Sequence, residues 1–314
     1  MLFLVYSFYM EFENDLILAP MAGYSDLAFR MLCEKYGASA TISEMISAKA
    51  LYYKSEKTNK MLVSNGLQKN KGVQIFGNDE IIMSEVIKSG VFDNFDFIDI
   101  NMGCPAPKII KNKEGSYLLK DINKASKIIT SCVKSTQKPI SVKFRMGFDE
   151  NEDISTEFAK MCEDCGAQMI TIHARTTFQK YSGKANLEVI KKVKDSVKIK
   201  VCGNGDVVDR QSYEKMKQTG VDYVMIGRGA IGNPYIFSEI LGKDYKKDLL
   251  DDIIFHYTKM REIFSEKVVL NNMKKHLALY LRKEKNYKEL IKELYAVTTI
   301  NKAIKLLEGS LNLW

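Results

Sequence analysis

The 314-residue sequence has no stretch that approaches the roughly 20 consecutive apolar residues of a membrane-spanning helix, which argues against an integral membrane protein. It contains only five prolines, and its 46% hydrophobic and 27% charged residues are typical of a soluble globular protein. A chain of this length can bury one large hydrophobic core and still form a smaller second domain.

The cysteines lack the regular spacing of a disulfide framework; they are Cys33, Cys104, Cys132, Cys162, Cys165 and Cys202. A chain this long does not need disulfides, so we expect a protein of the reducing cytoplasm. Cys162 and Cys165 match the C-x-x-C pattern of redox and metal sites, but no second such pair is present. Because residues 158–166 resemble an amphipathic helix ending on glycine, we interpret both cysteines as core residues.

The first ten residues lack the basic segment and the small-residue cleavage site of a secretory signal. An acidic stretch at residues 11–15 follows them directly. We interpret this segment as an extra edge strand, or as the product of an upstream start codon with translation beginning at Met10.

The net charge of +8 comes from 47 basic and 39 acidic residues and is unevenly distributed. Residues 243–314 contain 15 Lys and Arg against 10 Asp and Glu. A basic excess concentrated in one segment favours a polyanionic partner.

The first 242 residues alternate short β-branched runs with amphipathic segments of helical length. We predict strands at residues 16–21, 38–45, 72–77, 95–104, 139–146, 169–174, 198–205 and 223–229, and helices such as 121–136 and 209–220. Eight strand–helix units in about 240 residues predict an α/β fold, a (β/α)₈ TIM barrel. The first strand leads into Ala19-Pro-Met-Ala-Gly23 and not into the G-x-G-x-x-G turn of a doubly wound sheet.

After residue 242 the pattern is wholly helical, with predicted helices at 249–264, 268–285 and 287–308. We therefore expect a barrel domain at 1–242 and a small C-terminal helical bundle at 243–314.

Polar residues and glycines end nearly every predicted strand, at the rim where TIM barrels place their chemistry. The glycines of Gly203-Asn-Gly-Asp206 and Gly227-Arg-Gly229 predict a phosphate site, to which Arg228 adds charge-assisted hydrogen bonds. Lys143 lies in an otherwise apolar strand and would need an anionic partner if buried, such as a reduced flavin. Gln74, Asn101 and His173 could hydrogen-bond the amide-like edge of the same ring.

Cys104 follows the fourth predicted strand between Gly103 and Pro105, and three roles are open to it. A metal ligand would need further Cys or His nearby in the sequence, and none is present. A nucleophile would need a base, for which His173 is a candidate. A general acid needs only a protonated thiol, and an unperturbed thiol has a pKa of about 8.5.

Together these motifs resemble the tRNA-dihydrouridine synthases, most closely the bacterial B-type branch, from about residue 16 to the C-terminus. The motifs are Ala-Pro-Met-Ala-Gly (19–23), Ser-Glu-Met (43–45), Val-Gln-Ile-Phe-Gly (73–77), Asp-Ile-Asn-Met-Gly-Cys-Pro (99–105), Gly-Ser-Tyr-Leu-Leu (115–119), Val-Lys-Phe-Arg-Met-Gly (142–147), Thr-Ile-His-Ala-Arg-Thr (171–176), Gly-Asn-Gly-Asp (203–206), Met-Ile-Gly-Arg (225–228) and Lys-Lys-His-Leu-Ala-Leu-Tyr (274–280). Leu279 stands where the family more often has tryptophan.

The resemblance implies a bound FMN, with NADPH or NADH as reductant and tRNA as partner. The residues it implies at the flavin are Pro20, Met21, Ala22, Gln74, Asn101, Lys143, His173, Asn204, Gly205, Asp206, Gly227 and Arg228. It implies that Cys104 protonates C5 of a uridine whose C6 receives hydride, with Asn101 or Arg145 orienting the base. For RNA contact our candidates are Lys108, Arg145, Arg175, Lys274, Lys275 and His276. We expect no metal and a monomer.

Two alternatives to this function remain. An FMN barrel of the dihydroorotate dehydrogenase type also adds hydride and proton across a pyrimidine C5–C6 bond, although a free pyrimidine does not require a basic helical tail. A non-catalytic RNA-binding barrel would not need Cys104, Lys143 and Gly227-Arg228, so their presence argues against this alternative.

Overall fold

The computed structural model describes residues 10–64 and 68–311, and its centre is a closed barrel of eight parallel strands in sequential order. The strands are β1 (Leu16–Leu18), β2 (Ala40–Ser47), β3 (Lys71–Phe76), β4 (Phe97–Met102), β5 (Ile140–Gly147), β6 (Met169–Thr176), β7 (Lys200–Asn204) and β8 (Tyr223–Ile226). Each predicted strand is present with its ends shifted by a few residues, so the predicted TIM barrel is confirmed. Our interpretation of the first ten residues falls almost wholly outside the described part of the chain, which begins at Met10.

The register of the barrel brings the polar residues of neighbouring strands to the same rim. Asn101 of β4 pairs with Lys143 of β5, and His173 of β6 pairs with both Arg145 of β5 and Asn204 of β7. Because parallel strands all point the same way, side chains at matching register positions meet at one end of the barrel.

Helices surround the barrel and continue beyond it. They are α1 (Leu27–Lys35), α2 (Ala48–Tyr52), α3 (Glu56–Asn59), α4 (Glu80–Lys88), α5 (Pro107–Lys111), a 3₁₀ helix (Gly115–Lys120), α6 (Ile122–Val133), α7 (Ser155–Asp164), α8 (Leu187–Ser196), α9 (Arg210–Lys217), α10 (Ile236–Leu241), α11 (Leu249–Arg261), α12 (Glu266–Tyr280), α13 (Tyr287–Ala296) and α14 (Ile300–Leu311). None of the helices in the described residues is both long and apolar enough to cross a membrane.

The C-terminal region is helical as predicted, but one of its predicted helices is wrong. We expected a single helix at 287–308, and the structure has α13 and α14 separated at residues 297–299. Val297 is extended, with φ −66° and ψ 147°, and Thr298 and Thr299 follow it. Three consecutive β-branched residues are poor helix formers, and the Thr299 hydroxyl accepts a hydrogen bond from the Lys302 N–H in the first turn of α14.

Two large clusters of buried apolar side chains hold the molecule together. One lies between the barrel strands and the surrounding helices, with Phe144, Phe158 and Ile190 fully buried. The other lies among α11–α14 and includes Ala28 of α1, so the helical region packs directly on the first barrel helix. The barrel is therefore attached to the C-terminal helices through α1.

Candidate active site

Cys104 lies just beyond the end of β4, half-buried, with its backbone fixed on both sides. Its N–H donates to Asn101 Oδ1 at 2.9 Å, and its carbonyl oxygen accepts from the Ser116 hydroxyl at 2.9 Å. Burial raises the pKa of the thiol, although the Ala106 N–H and the charge of Arg145 act in the opposite direction. The thiol is therefore protonated at neutral pH.

A chain of buried hydrogen bonds leads from β5 to the Cys104 backbone. The Ser141 hydroxyl and Gln74 Nε2 donate to the two oxygens of Asp99, at 2.5 and 2.7 Å. Asn101 Nδ2 then donates to Gln74 Oε1 at 2.8 Å. The chain fixes the orientation of the Gln74 and Asn101 amides, both of which we predicted to contact a flavin.

Lys143 points across the barrel from β5, and its Nζ donates to Asn204 Oδ1 at 3.0 Å. Among the described residues, no carboxylate forms an ion pair with this ammonium group. Burial and the nearby Arg145 guanidinium lower the pKa of Lys143 to about 8. A buried ammonium without an anionic protein partner suits an anionic ligand at this position.

Arg145 lies beside Cys104 and is almost fully buried. Its Nε donates to Gly103 O, and one terminal nitrogen donates to the carbonyls of Thr176 and Lys180, each at 2.8 Å. Its guanidinium lies 5.6 Å from the Tyr181 ring centre, and Arg228 lies 5.1 Å from the same ring. The proposed contact of Arg145 with a uracil base stays a prediction.

Asp206 follows β7 and holds the ends of three strands together. Its carboxylate accepts from Arg175 of β6 at 2.6 Å, from Arg228 after β8 at 3.1 Å and from the Ala185 N–H at 2.8 Å. Burial acts to raise its pKa, but these hydrogen bonds and charges outweigh it and lower the pKa. His173, buried next to the same cations, has a pKa well below its usual value and is neutral at pH 7.

Backbone N–H groups at the ends of β7 and β8 are available to a ligand. Within the described residues, no acceptor is in hydrogen-bonding geometry with the N–H of Gly205, Asp206, Gly227 or Arg228. Gly205 has a φ of +137° and Asp206 a φ of +55°, so the chain turns sharply here in the left-handed region. These amides and the exposed Arg228 side chain have the chemistry of a phosphate-binding site.

The turn after β1 lies next to the end of β8 and completes the circle of strand ends at the rim. The Met21 N–H donates to the Ser25 hydroxyl at 2.8 Å, and the Glu44 carboxylate accepts from the Gly23 N–H. A methyl group added at Gly227 would lie 3.5 Å from Met21 Sδ, so this turn adjoins the end of β8. Pro20 and Met21 are half-buried here and Ala22 is exposed, and their contact with a flavin stays a prediction.

Three of the six residues predicted to contact RNA are buried, and one of them is Arg145, which is 2% exposed. Arg175 is 1% exposed because Asp206 and the carbonyls of Ser182 and Gly183 bind its guanidinium. His276 is fully buried against Asp26 and His256. Neither side chain presents a surface to RNA. Lys108 is exposed on α5, whereas Lys274 and Lys275 are half-buried on α12, and RNA contact by these lysines stays a prediction.

Two features of the site were not predicted from the sequence. Asp99 alternates with apolar residues in a fully buried strand, and an acidic residue in such a strand could have indicated a buried network. Tyr181 is exposed in the loop after β6, and no sequence pattern distinguishes it from other loop aromatics. A cavity of about 930 Å³ also lies elsewhere, lined by Glu34, Lys35 and residues near Tyr245, and contains none of the predicted site residues.

The six cysteines are all free thiols, and Cys162 is fully buried as expected. Cys165 is half-buried, and its sulfur lies 3.2 Å from the Ser126 hydroxyl oxygen. Both lie on or directly after α7, outside the barrel rim.

Solved structures with a similar fold have low sequence identity to this chain. TcOYE, solved with pHBA, superposes with a TM-score of 0.56 at 12% identity, covering 74% of this chain and 89% of that one. The DHODH of Eimeria tenella, solved with ferulenol, gives a TM-score of 0.55 at 13% identity, covering 80% and 83%. These similarities show the fold alone.

Sequence relatives are much more similar. A probable tRNA-dihydrouridine synthase of Rickettsia conorii is 35% identical over 282 residues, 86% of this chain and 85% of that protein. The tRNA-dihydrouridine synthase B of Vibrio parahaemolyticus is 35% identical over 312 residues, 95% of this chain and 96% of that protein. The family model for dihydrouridine synthases matches residues 17–311. The chain belongs to the dihydrouridine synthase family.

Proposed function

We propose that this protein reduces specific uridines of tRNA to 5,6-dihydrouridine, with bound FMN and with NADPH or NADH as reductant. Family membership supports the reaction class, and the names of the relatives support tRNA as substrate. The observation that carries the mechanism is the position of Cys104, a protonated thiol held beside Arg145 on a rim that suits a phosphorylated anionic cofactor.

The residues of the rim fit FMN at both of its ends. The N–H groups of Gly205, Asp206, Gly227 and Arg228 would bind the phosphate, and Arg228 would add its charge. Lys143 would lie at the edge of the ring that becomes anionic when the flavin is reduced, with the amides of Gln74 and Asn101 and neutral His173 around it. Pro20, Met21 and Ala22 would contact the ring from the β1 turn. When bound, FMN supplies the hydride that adds to C6 of uracil.

Cys104 supplies the proton in this proposal. The C5–C6 double bond of uracil becomes a single bond as hydride arrives at C6 and the Cys104 Sγ–H bond breaks to give its proton to C5. The thiolate that remains is stabilised by the positive charges of Arg145 and Lys143 and regains a proton from water before the next turnover. The Asn101 bond to the Cys104 N–H keeps the thiol in place during this transfer.

The helical region at residues 243–314 is proposed to dock the tRNA. A uridine must leave its stack to reach the barrel rim, at a cost of a few kcal/mol. The basic side chains of the helical region, among them Lys274 and Lys275 of α12, would offset this cost through phosphate contacts. Lys275 lies over the Tyr24 ring in the β1 turn. Free cysteines are typical of proteins in a reducing compartment, where the proposed substrate is also found. We therefore also propose that the protein acts in the cytoplasm.

Replacement of Cys104 by alanine tests the proton donor. We expect Cys104→Ala to bind FMN and oxidise NADPH like the wild type but to lower dihydrouridine formation by at least 100-fold, because general-acid catalysis contributes on the order of 10²–10⁴-fold. The product is measured by mass spectrometry of nucleosides from tRNA that lacks dihydrouridine. Cys165→Ala is the matched control and should keep full activity.

Wild-type product yield from Cys104→Ala would assign the proton to another group. The dihydroorotate dehydrogenase type of reaction is tested in the same assay with orotate and free uridine in place of tRNA. Turnover of either small molecule at the rate seen with tRNA would contradict the proposed substrate.

A further inference from the structure

A carboxylate and two imidazoles form a buried cluster between the barrel and the C-terminal helices. Asp26 precedes α1, His256 lies on α11 and His276 lies on α12. Both histidine side chains are at most 1% exposed, and the Asp26 side chain is 10% exposed. None of the three has a role in the proposed reaction.

The spacing of these side chains is that of ligands around one small cation. Asp26 Oδ2 lies 3.2 Å from His256 Nε2 and 3.3 Å from His276 Nε2, and one ligand atom from each residue lies within 4.8 Å of the other two. In a tetrahedral zinc site with bonds of about 2.0–2.1 Å, neighbouring ligand atoms are about 3.3 Å apart. The cluster therefore needs little rearrangement to accept a metal.

The hydrogen bonds of the cluster join Asp26 to α1 and to His256 but leave His276 unpaired. Asp26 Oδ1 accepts from the Phe29 N–H at 3.0 Å, as the cap of α1, and His256 Nε2 lies at hydrogen-bonding distance, 3.2 Å, from both Asp26 oxygens. Neither ring nitrogen of His276 has a hydrogen-bond partner, and the 3.3 Å contact of Nε2 with Asp26 lacks hydrogen-bond geometry. A buried imidazole nitrogen without a partner is costly, and a metal ion would give Nε2 a partner.

The surroundings give His256 the second hydrogen bond that a metal-bound histidine usually has. His256 Nδ1 lies 3.2 Å from the Tyr280 hydroxyl, which orients the ring with Nε2 toward Asp26. The nearby cations point elsewhere: Arg30 donates to the carbonyls of Ser25 and Val63, and Lys275 lies over the Tyr24 ring.

We propose that Asp26, His256 and His276 bind a divalent transition-metal ion of the zinc class, which fastens the helical region to the barrel next to the β1 turn. Two imidazoles and one carboxylate are a donor set that zinc accepts, with water or the second carboxylate oxygen in the remaining position. The site is structural, and it is independent of the proposed reaction.

The test is the metal content of the full-length protein. The purified protein is stripped with chelator, dialysed against ZnCl₂ and then against metal-free buffer, and analysed by elemental mass spectrometry. We expect about one zinc per chain in the wild type and in His173→Ala, the matched control that removes the histidine outside the cluster. Asp26→Asn keeps the cap of α1 and should lose most of the zinc, as should His276→Ala.

Two further measurements separate a metal site from a hydrogen-bonded cluster. Co²⁺ alone should give the wild type a visible absorption band of tetrahedral cobalt that is absent in Asp26→Asn. Zinc should raise the melting temperature of the wild type but not of Asp26→Asn. A wild type that retains no zinc, shows no cobalt band and melts at the same temperature with zinc or chelator would overturn the proposal.

Discussion

Lys143 shows how a single side chain links the fold to the proposed cofactor. Its ammonium group is buried near the Arg145 guanidinium and the neutral Asn204 amide, and burial and the Arg145 charge lower its pKa to about 8, although the Asp99 carboxylate acts in the opposite direction. An anionic ligand beside it would raise that pKa again. Ligand binding then favours protonation of Lys143, and protonation of Lys143 favours ligand binding by the same free energy.

This coupling predicts how FMN affinity changes with pH. Below pH 8 Lys143 is already charged and the affinity is constant, whereas above pH 8 binding must take up a proton. Affinity should therefore fall by up to about tenfold for each pH unit above 8. Fluorescence titration of the apoprotein with FMN between pH 7 and 9.5 measures this.

Lys143→Met should bind FMN more weakly at pH 7 and show no such decline. Lys191→Met, at an exposed position of α8, should behave as the wild type. An unchanged pH profile in Lys143→Met would show that the proton is taken up elsewhere.

Individual side chains also mark the limit of prediction from the sequence. Arg175 and His276 occupy positions where a basic residue near the rim or in a basic tail suggests RNA contact. Both are buried by partners that are remote in the chain, Asp206 and Asp26. Which carboxylate lies beside which cation depends on tertiary packing, and the local pattern contains no signal for it.

At the scale of elements, the 3₁₀ helix after α5 supports Cys104, the proposed proton donor. Gly115 begins it with a φ of +61°, and a methyl group there would lie 2.9 Å from Cys104 O and 3.1 Å from Cys104 Cβ. The close approach lets the Ser116 hydroxyl and N–H bind the Cys104 carbonyl. Any side chain larger than hydrogen at residue 115 would displace Cys104.

Gly115→Ala is therefore expected to lower dihydrouridine formation strongly and the free energy of unfolding moderately. The left-handed backbone and the close contact should lower the free energy of unfolding by about 1–3 kcal/mol. Dihydrouridine formation should fall by on the order of 100-fold, because a shift of about 1 Å in a reacting group has that effect. Gly309→Ala is the control, since a methyl group there meets no atom within 4 Å.

The two measurements for Gly115→Ala are denaturant unfolding and the tRNA assay. A variant with wild-type turnover would show that the 3₁₀ helix does not position the thiol.

The elements themselves were largely predictable. Buried parallel strands read as apolar runs, and the polar residues that interrupt or follow them, such as Lys143 and Asp206, indicated the rim correctly. The break between α13 and α14 was missed because residues 287–308 keep a helical periodicity on both sides of it. Only the β-branched triplet at 297–299 signals the interruption, and the periodicity of its flanks outweighed it.

For the whole molecule, the free energy of unfolding should depend on pH because the Glu34 carboxyl of α1 ionises. Burial raises the pKa of this carboxyl to about 7, although Thr41 and Gln68 hydrogen-bond it. Between about pH 4.5 and 7 the folded protein keeps a proton that the unfolded chain loses. Stability contributed by this group therefore falls as the pH rises through that range.

Glu34→Gln removes the ionisation and should stabilise the protein at pH 8 by on the order of 1–2 kcal/mol, with little change at pH 5. Urea unfolding at the two pH values measures the difference. Glu85→Gln, at an exposed position of α4, should change stability little at either pH. An equal effect of Glu34→Gln at pH 5 and pH 8 would assign the gain to packing and not to ionisation.

The single carboxylate of Asp206 has a mechanical consequence. By bonding Arg175, Arg228 and the Ala185 N–H at once, it ties the loops that follow β6, β7 and β8 into one body. A ligand that contacts any one of these loops therefore cannot displace it without displacing the other two. Entry and exit of substrate should then depend on movement of the opposite side of the rim, from the β1 turn to the 3₁₀ helix after α5.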